Sequence, residues 1–181
     1  MDLQAGTYRL GPDDGTLSIQ TGRKGAAAKA GHDLVIEVTA WEGTLRLGDD
    51  PSDTSVELEA DATSLHVRQG TGGMQSLGDD DKANIRTTIH DEVLKGHAIA
   101  FRSTAVTRAG GQLTVEGELT LAGTTRPLAF DLAVGDDGRL TGAAVVRQTD
   151  WGMKPYSTLF GALKVADEVR VEIDAALPQS R

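Results

Sequence analysis

Apolar and polar residues alternate along most of this chain, and the alternation is cleanest from Gln112 to Val134. Leu119 and Leu121 face one way while Glu118 and Thr120 face the other. The same period of two returns in Leu128, Phe130, Leu132 and Val134, beyond the break Gly123-Thr124-Thr125-Arg126-Pro127. A period of two is that of a strand with one buried face, so the stretch predicts a β-hairpin. Pro127 has no N–H to give to a ladder and is expected at the start of the second strand.

The same pattern recurs on either side. Gly6–Leu10 and Leu17/Ile19, separated by the turn cluster Gly11-Pro12-Asp13-Asp14-Gly15, predict a first hairpin. Leu34, Ile36 and Val38 alternate, as do Leu45 and Leu47, with a change of phase around Trp41 to Gly43 that predicts a bulge or bend. Val56, Leu58, Ala60 and Ala62 form a row against Glu57, Glu59 and Asp61. The glycine-rich stretch from Leu65 to Gly78 predicts a surface loop, and Gly22 to Gly31 a loop with one helical turn. Ile99 to Thr107, Leu140 to Val146 and Val169 to Ala175 read as further strands. Only Ala83, Ile85, Ile89 and Val93 follow a helical spacing, with Asp79-Asp80-Asp81 suited to the first turn and Gly96 to the stop. About eight strands, one helix between the halves and no βαβ alternation predict an all-β, antiparallel, lipocalin-like closed barrel in a single domain over residues 1–181.

Composition then narrows the function. The net charge of −9, from 27 acidic and 18 basic residues, lacks the footprint of a nucleic-acid binder. With no cysteine, disulfides and thiolate metal sites are excluded. No signal peptide precedes the first strand and no run is long enough to span a bilayer. The sequence as it stands therefore predicts a cytoplasmic protein without a transmembrane segment, or a secreted or periplasmic one only if it was trimmed.

Gly6-Thr7-Tyr8-Arg9-Leu10, His32, Ile99-Ala100-Phe101-Arg102-Ser103-Thr104 and above all Val115-Glu116-Gly117-Glu118-Leu119-Thr120-Leu121-Ala122-Gly123-Thr124-Thr125-Arg126-Pro127-Leu128 resemble the YceI-like family. Asp150-Trp151-Gly152 stands where many members have Asp-Phe-Gly. The resemblance implies an extended lipocalin-like barrel around a long apolar molecule, typically a polyisoprenoid such as a quinone tail or an isoprenoid alcohol, and it accommodates a homodimer. The chain departs from the family pattern in having no secretion signal, in Asp81-Lys82-Ala83-Asn84-Ile85-Arg86 at the helix, and in lacking a proline before Ile99.

No catalytic residue, metal ligand or cofactor is predicted. His32 could act as a base, but Asp33 beside it on a strand points to the other face, so a backbone hydrogen bond at a barrel end is the better reading. His66, His90 and His97 lack metal-binding spacing, no Gly-x-Ser-x-Gly elbow is present, and Gly70-Thr71-Gly72-Gly73 lacks the strand-turn-helix setting of a phosphate loop. The expected role is a non-catalytic carrier or sequestering protein for a long-chain or isoprenoid-like lipid. The alternative is a stress-associated interaction module with a filled barrel. A hydrolase or isomerase using His32 is a third, weaker reading. Ligand contacts are predicted for Ile36, Val38, Leu58, Phe101, Leu119, Leu121, Phe130, Leu132, Val146, Trp151, Met153 and Phe160. Around Trp151, Met153, Tyr156 and Phe160, a lid over the cavity and a plug filling the barrel end are both open.

Overall fold

The computed structural model describes residues 4–178. In chain order its strands are β1 (Gly6–Leu10), β2 (Gly15–Gln20), β3 (Arg23–Lys24), β4 (His32–Val38), β5 (Trp41–Leu47), β6 (Ser55–Ala60) and β7 (Leu65–Gly72). After helix α1 (Asp79–Thr88) come β8 (Ile99–Ala109), β9 (Gln112–Leu121), β10 (Thr124–Val134), β11 (Arg139–Arg147), β12 (Ser157–Thr158), β13 (Leu163–Val165) and β14 (Glu168–Ala176). Eleven of the strands form one antiparallel sheet in the order β1-β5-β6-β8-β9-β10-β11-β14-β2-β4-β7, while β12, β13 and β3 make a small second sheet.

Chain connectivity forces the large sheet to curl. Eight strand spacings separate β1 from β2 in the hydrogen-bonded order, which would be about 38 Å on a flat sheet. The link from Leu10 to Gly15 reaches at most about 17 Å, so the two strands meet only if the sheet wraps round. The first hairpin is thereby corrected: β1 pairs with β5, and β2 pairs with β14 and β4. The closed eight-stranded barrel is corrected as well. The sheet is a curled half-barrel of eleven strands, and its terminal strands β1 and β7 each pair on one side only. Bends explain the higher count. The chain turns at Thr39–Ala40 and again at Asp61–Ser64, splitting two long ribbons into β4/β5 and β6/β7. Thr39 N–H donates to Ser64 O at 2.9 Å and Asp61 N–H to Ala40 O at 3.0 Å, which carries the β4–β7 pairing over into β5–β6.

Two local expectations also change. Residues 65–72 form a strand rather than a loop, because Leu65 and Val67 alternate inward and the segment pairs with β4 from Leu65 to Gly72. The β9–β10 turn is only Ala122-Gly123, both at positive φ (47° and 78°), the two-residue geometry that matches sheet twist. Pro127 is thus the fourth residue of β10, not its start. It is tolerated because β11 pairs with β10 only from Asp131 to Val134, leaving Pro127 a partner on the β9 side alone.

The helix forms where its spacing places it, with the backbone N–H of Gly78 donating to the Asp81 carboxylate at 3.0 Å. It widens into a π-turn over Ile89–Val93, with Leu94 N–H reaching Ile89 O at 2.8 Å.

The strand registers give the sheet two unlike ends. Turns 110–111 and 135–138 close one end, where Leu113 and Val115 are fully buried and Leu140 and Ala175 nearly so. From the opposite end leave the long segments 21–31, 73–98 and 148–167. Leu113→Ala is expected to lower unfolding free energy by about 2–5 kcal/mol, the range for a well-packed leucine truncated to alanine. Urea denaturation with an unchanged m-value checks it.

Candidate functional site

The inward rows do not fill the curled sheet. They enclose a cavity of about 620 Å³, within the range of small-molecule sites. Its wall is largely apolar: Leu17 and Ile19 of β2, Leu34, Ile36 and Val38 of β4, Leu128, Phe130 and Leu132 of β10, and Val169, Val171 and Ile173 of β14. The α1 segment covers it with Ile85, Ile89 and Val93. These three were not among the predicted contacts, although their four-residue spacing marks the helix face that must be covered.

Ten of the twelve predicted contacts lie on this wall: Ile36, Val38, Leu58, Phe101, Leu119, Leu121, Phe130, Leu132, Val146 and Met153. Phe101 and Phe130 pack together with ring centroids 5.1 Å apart at 58°, a tilted pair favoured by the ring quadrupoles. Trp151 and Phe160 lie off the wall. Trp151 is buried in the 3₁₀ turn Gln148–Trp151, and its indole N–H donates to Leu119 O at 2.8 Å, tying the 148–167 connection to the back of β9. Phe160 is fully exposed. Of the segment read as lid or plug, Met153 and Tyr156 reach the cavity wall, Tyr156 while still half in solvent. Trp151→Phe removes this hydrogen bond while Arg126, opposite Leu119 on β10, still faces the same carbonyl, and it is expected to cost about 0.5–1.5 kcal/mol of stability by denaturant titration.

Polar groups gather at the end from which the long connections leave. Arg23, His32, Asp81, Asn84, Thr158 and Lys164 line the cavity there, whereas Thr44 and Glu57 enter its lining from the β5–β6 hairpin. Arg23 is held between Gly31 O, which accepts from its guanidinium, and Asp33, 3.5 Å away. His32 Nε2 lies 2.6 Å from Gln75 O. A carbonyl only accepts, so Nε2 carries the hydrogen and the imidazole fixes the start of the 73–78 segment. Gly73, at φ +74°, lies under that ring, where a Cβ would come within 2.5 Å of Cε1. Beside the rim, Thr149 Oγ1 donates to Asp167 at 2.6 Å and holds that carboxyl below the usual aspartate range. Among the described residues no three carboxylate or imidazole side chains gather as metal ligands, and no helix is long and apolar enough to cross a membrane.

The resemblance implied a lipocalin-like barrel, of which the structure has the antiparallel sheet and the apolar interior in a curled half-barrel, and the family model of the YceI-like domain matches residues 8–177. The chain belongs to the YceI-like family. Its shape agrees with solved structures. BcnA of Burkholderia cenocepacia superposes with a TM-score of 0.60 over 87% of this chain and 94% of its own, at 15% identity. The YceI protein of Campylobacter jejuni superposes with a TM-score of 0.52 over 77% and 82%, at 12% identity. At such identities the likeness is one of fold. No curated protein sequence matches this YceI-like chain.

Proposed function

We propose that this YceI-like protein, acting as one domain, is a non-catalytic carrier or sequestering protein that holds a long apolar molecule of the isoprenoid-like lipid class in its interior. The carrying observation is the cavity of about 620 Å³ with a largely apolar wall. At about 30 Å³ per molecule it would otherwise hold roughly twenty waters, which an apolar wall cannot hydrogen-bond. A lipid chain replaces them with dispersion contacts along its whole length. The ten wall residues predicted from sequence are its contacts. Specificity then follows length and width more than functional groups. His32, spent on the Gln75 carbonyl, serves the shape of the rim.

Protein purified from its own host, extracted with organic solvent and analysed by mass spectrometry, should release near-stoichiometric lipid. Repeated recovery of none, with no uptake of apolar dyes by the extracted protein, would overturn the proposal and favour an interaction module.

A further inference from the structure

One side of the cavity rim is basic in a molecule that is acidic as a whole. Residues 21–32 and 151–165 contain Arg23, Lys24, Lys29, Lys154 and Lys164 and not one aspartate or glutamate, in a chain of net charge −9. The fold joins these segments. β13 lies between β12 and β3, placing Lys164 opposite Ser157 on one side and Lys24 on the other, and Ala27 N–H donates to Ala162 O at 2.8 Å. Lys24, Lys29, Lys154 and Lys164 are exposed. Asp33 offsets Arg23, and Asp167 stands near enough to Lys24 to feel its charge. Of the other carboxylates near the rim, Asp79 to Asp81 belong to the α1 side, and the exposed Asp150 lies near enough to Arg147 to feel its charge.

Large apolar side chains project from the same end. Phe160, on the turn between β12 and β13, is wholly exposed and held at φ +53°, a conformation that a bulky L-residue adopts only under local constraint. Tyr156 stands 43% exposed at the cavity rim, and Met74 84% exposed beside the Gly73 on which the His32 ring rests. Packing does not explain an aromatic turned outward at a strained position. A surface that accepts aromatic rings and ammonium groups together does.

We propose that this rim, with Phe160 at its tip and Lys24 and Lys164 behind it, docks on an anionic lipid bilayer, so that the cavity opens directly onto the membrane. Aromatic side chains settle at headgroup depth, and lysines beside them are drawn to anionic lipid. A second copy of this chain is the poorer occupant, because a two-fold contact through the patch would set lysines against lysines. The inference extends the carrier reading by naming where cargo is exchanged.

Flotation of the full chain with phosphatidylglycerol-containing phosphatidylcholine vesicles, against phosphatidylcholine vesicles alone, tests it. The protein should float with the anionic vesicles and be released by high salt. Lys24→Glu with Lys164→Glu should weaken binding at least about twenty-five-fold, roughly fivefold for each lysine lost. Phe160→Ser should weaken it several-fold, whereas Val145→Ser, which removes an exposed valine from β11, should not. Failure to float, equal binding to neutral vesicles, or Phe160→Ser behaving as wild type would each overturn the inference. So would a dimer in sedimentation that Phe160→Ser dissociates. Failed flotation of a protein that still yields lipid on extraction removes the docking site and leaves the carrier reading standing.

Discussion

Replacing Gly117 with valine should lower unfolding free energy by at least about 3 kcal/mol, the upper part of the range for overpacking a core, and drop the melting temperature by roughly 6–12 °C. Gly117 lies on the inward face of β9, opposite Ser103, where β8 carries a bulge. A Cβ there would come within 2.5 Å of Phe101 Cζ and 2.8 Å of Ser103 Cα, and closer still to the Arg102 carbonyl oxygen. The phenyl ring could swing away. The β8 backbone could not, since it is hydrogen-bonded to β6 as well as to β9. The missing side chain is therefore what lets Phe101 lie flat on β9 and meet Phe130. Thermal unfolding followed by circular dichroism reads the effect. A melting temperature within two or three degrees of wild type would mean that β8 is freer to move than its ladders indicate.

Gly117 also shows how far the sequence could be read. Its place between Val115 and Leu119 on one parity put it on the inward face, and the resemblance to the family pattern marked it, but neither explained it. The explanation is an approach by Phe101, sixteen residues away, and local pattern carries no trace of that. The β1–β2 link fails for a related reason. Gly11 to Gly15 has the composition of a hairpin turn, and the chain does turn there, with Asp14 N–H donating to Gly11 O at 3.0 Å. Composition specifies a reversal of direction, not which strand stands alongside afterwards. The strand faces themselves were legible, from Leu119 and Leu121 through Val169 and Ile173, because a period of two is a local property. Trp151 was legible as important and illegible as to role, because the Leu119 carbonyl that accepts its hydrogen bond is thirty-two positions distant.

Least legible was the division of one inward face into solid core and cavity wall. On β9, Leu113 and Val115 are sealed, while Leu119 and Leu121, on the same parity of the same strand, line the cavity. Alternation reports which way a side chain points and says nothing of what stands opposite. Near the closed end, short turns bring the strands' inward rows together. Toward the other end the rows stay apart under the 73–98 connection, which covers the gap with Ile85, Ile89 and Val93 without filling it, and the space between the rows is what a ligand would occupy.

That division predicts opposite outcomes for two substitutions on the inner surface. Ala144 lies on the cavity wall from β11, between Gly142 and Val146 and across from Val171 of β14. Ala144→Trp places an indole in space that is already there, so stability should change by less than about 1.5 kcal/mol. A long ligand would then have to displace that ring or bend round it, at about 1–3 kcal/mol, which is roughly five- to 150-fold in affinity. Leu113→Ala should do the reverse, weakening the fold while leaving affinity within about twofold, since Leu113 lies off the cavity wall. Titration of both variants with the fluorescent apolar dye N-phenylnaphthylamine, alongside urea denaturation, separates the two effects. Unchanged dye affinity in Ala144→Trp would place the apolar site outside the curled sheet. Loss of affinity in Leu113→Ala without loss of stability would mean that the sealed end opens, and that the cavity runs the full length of the strands.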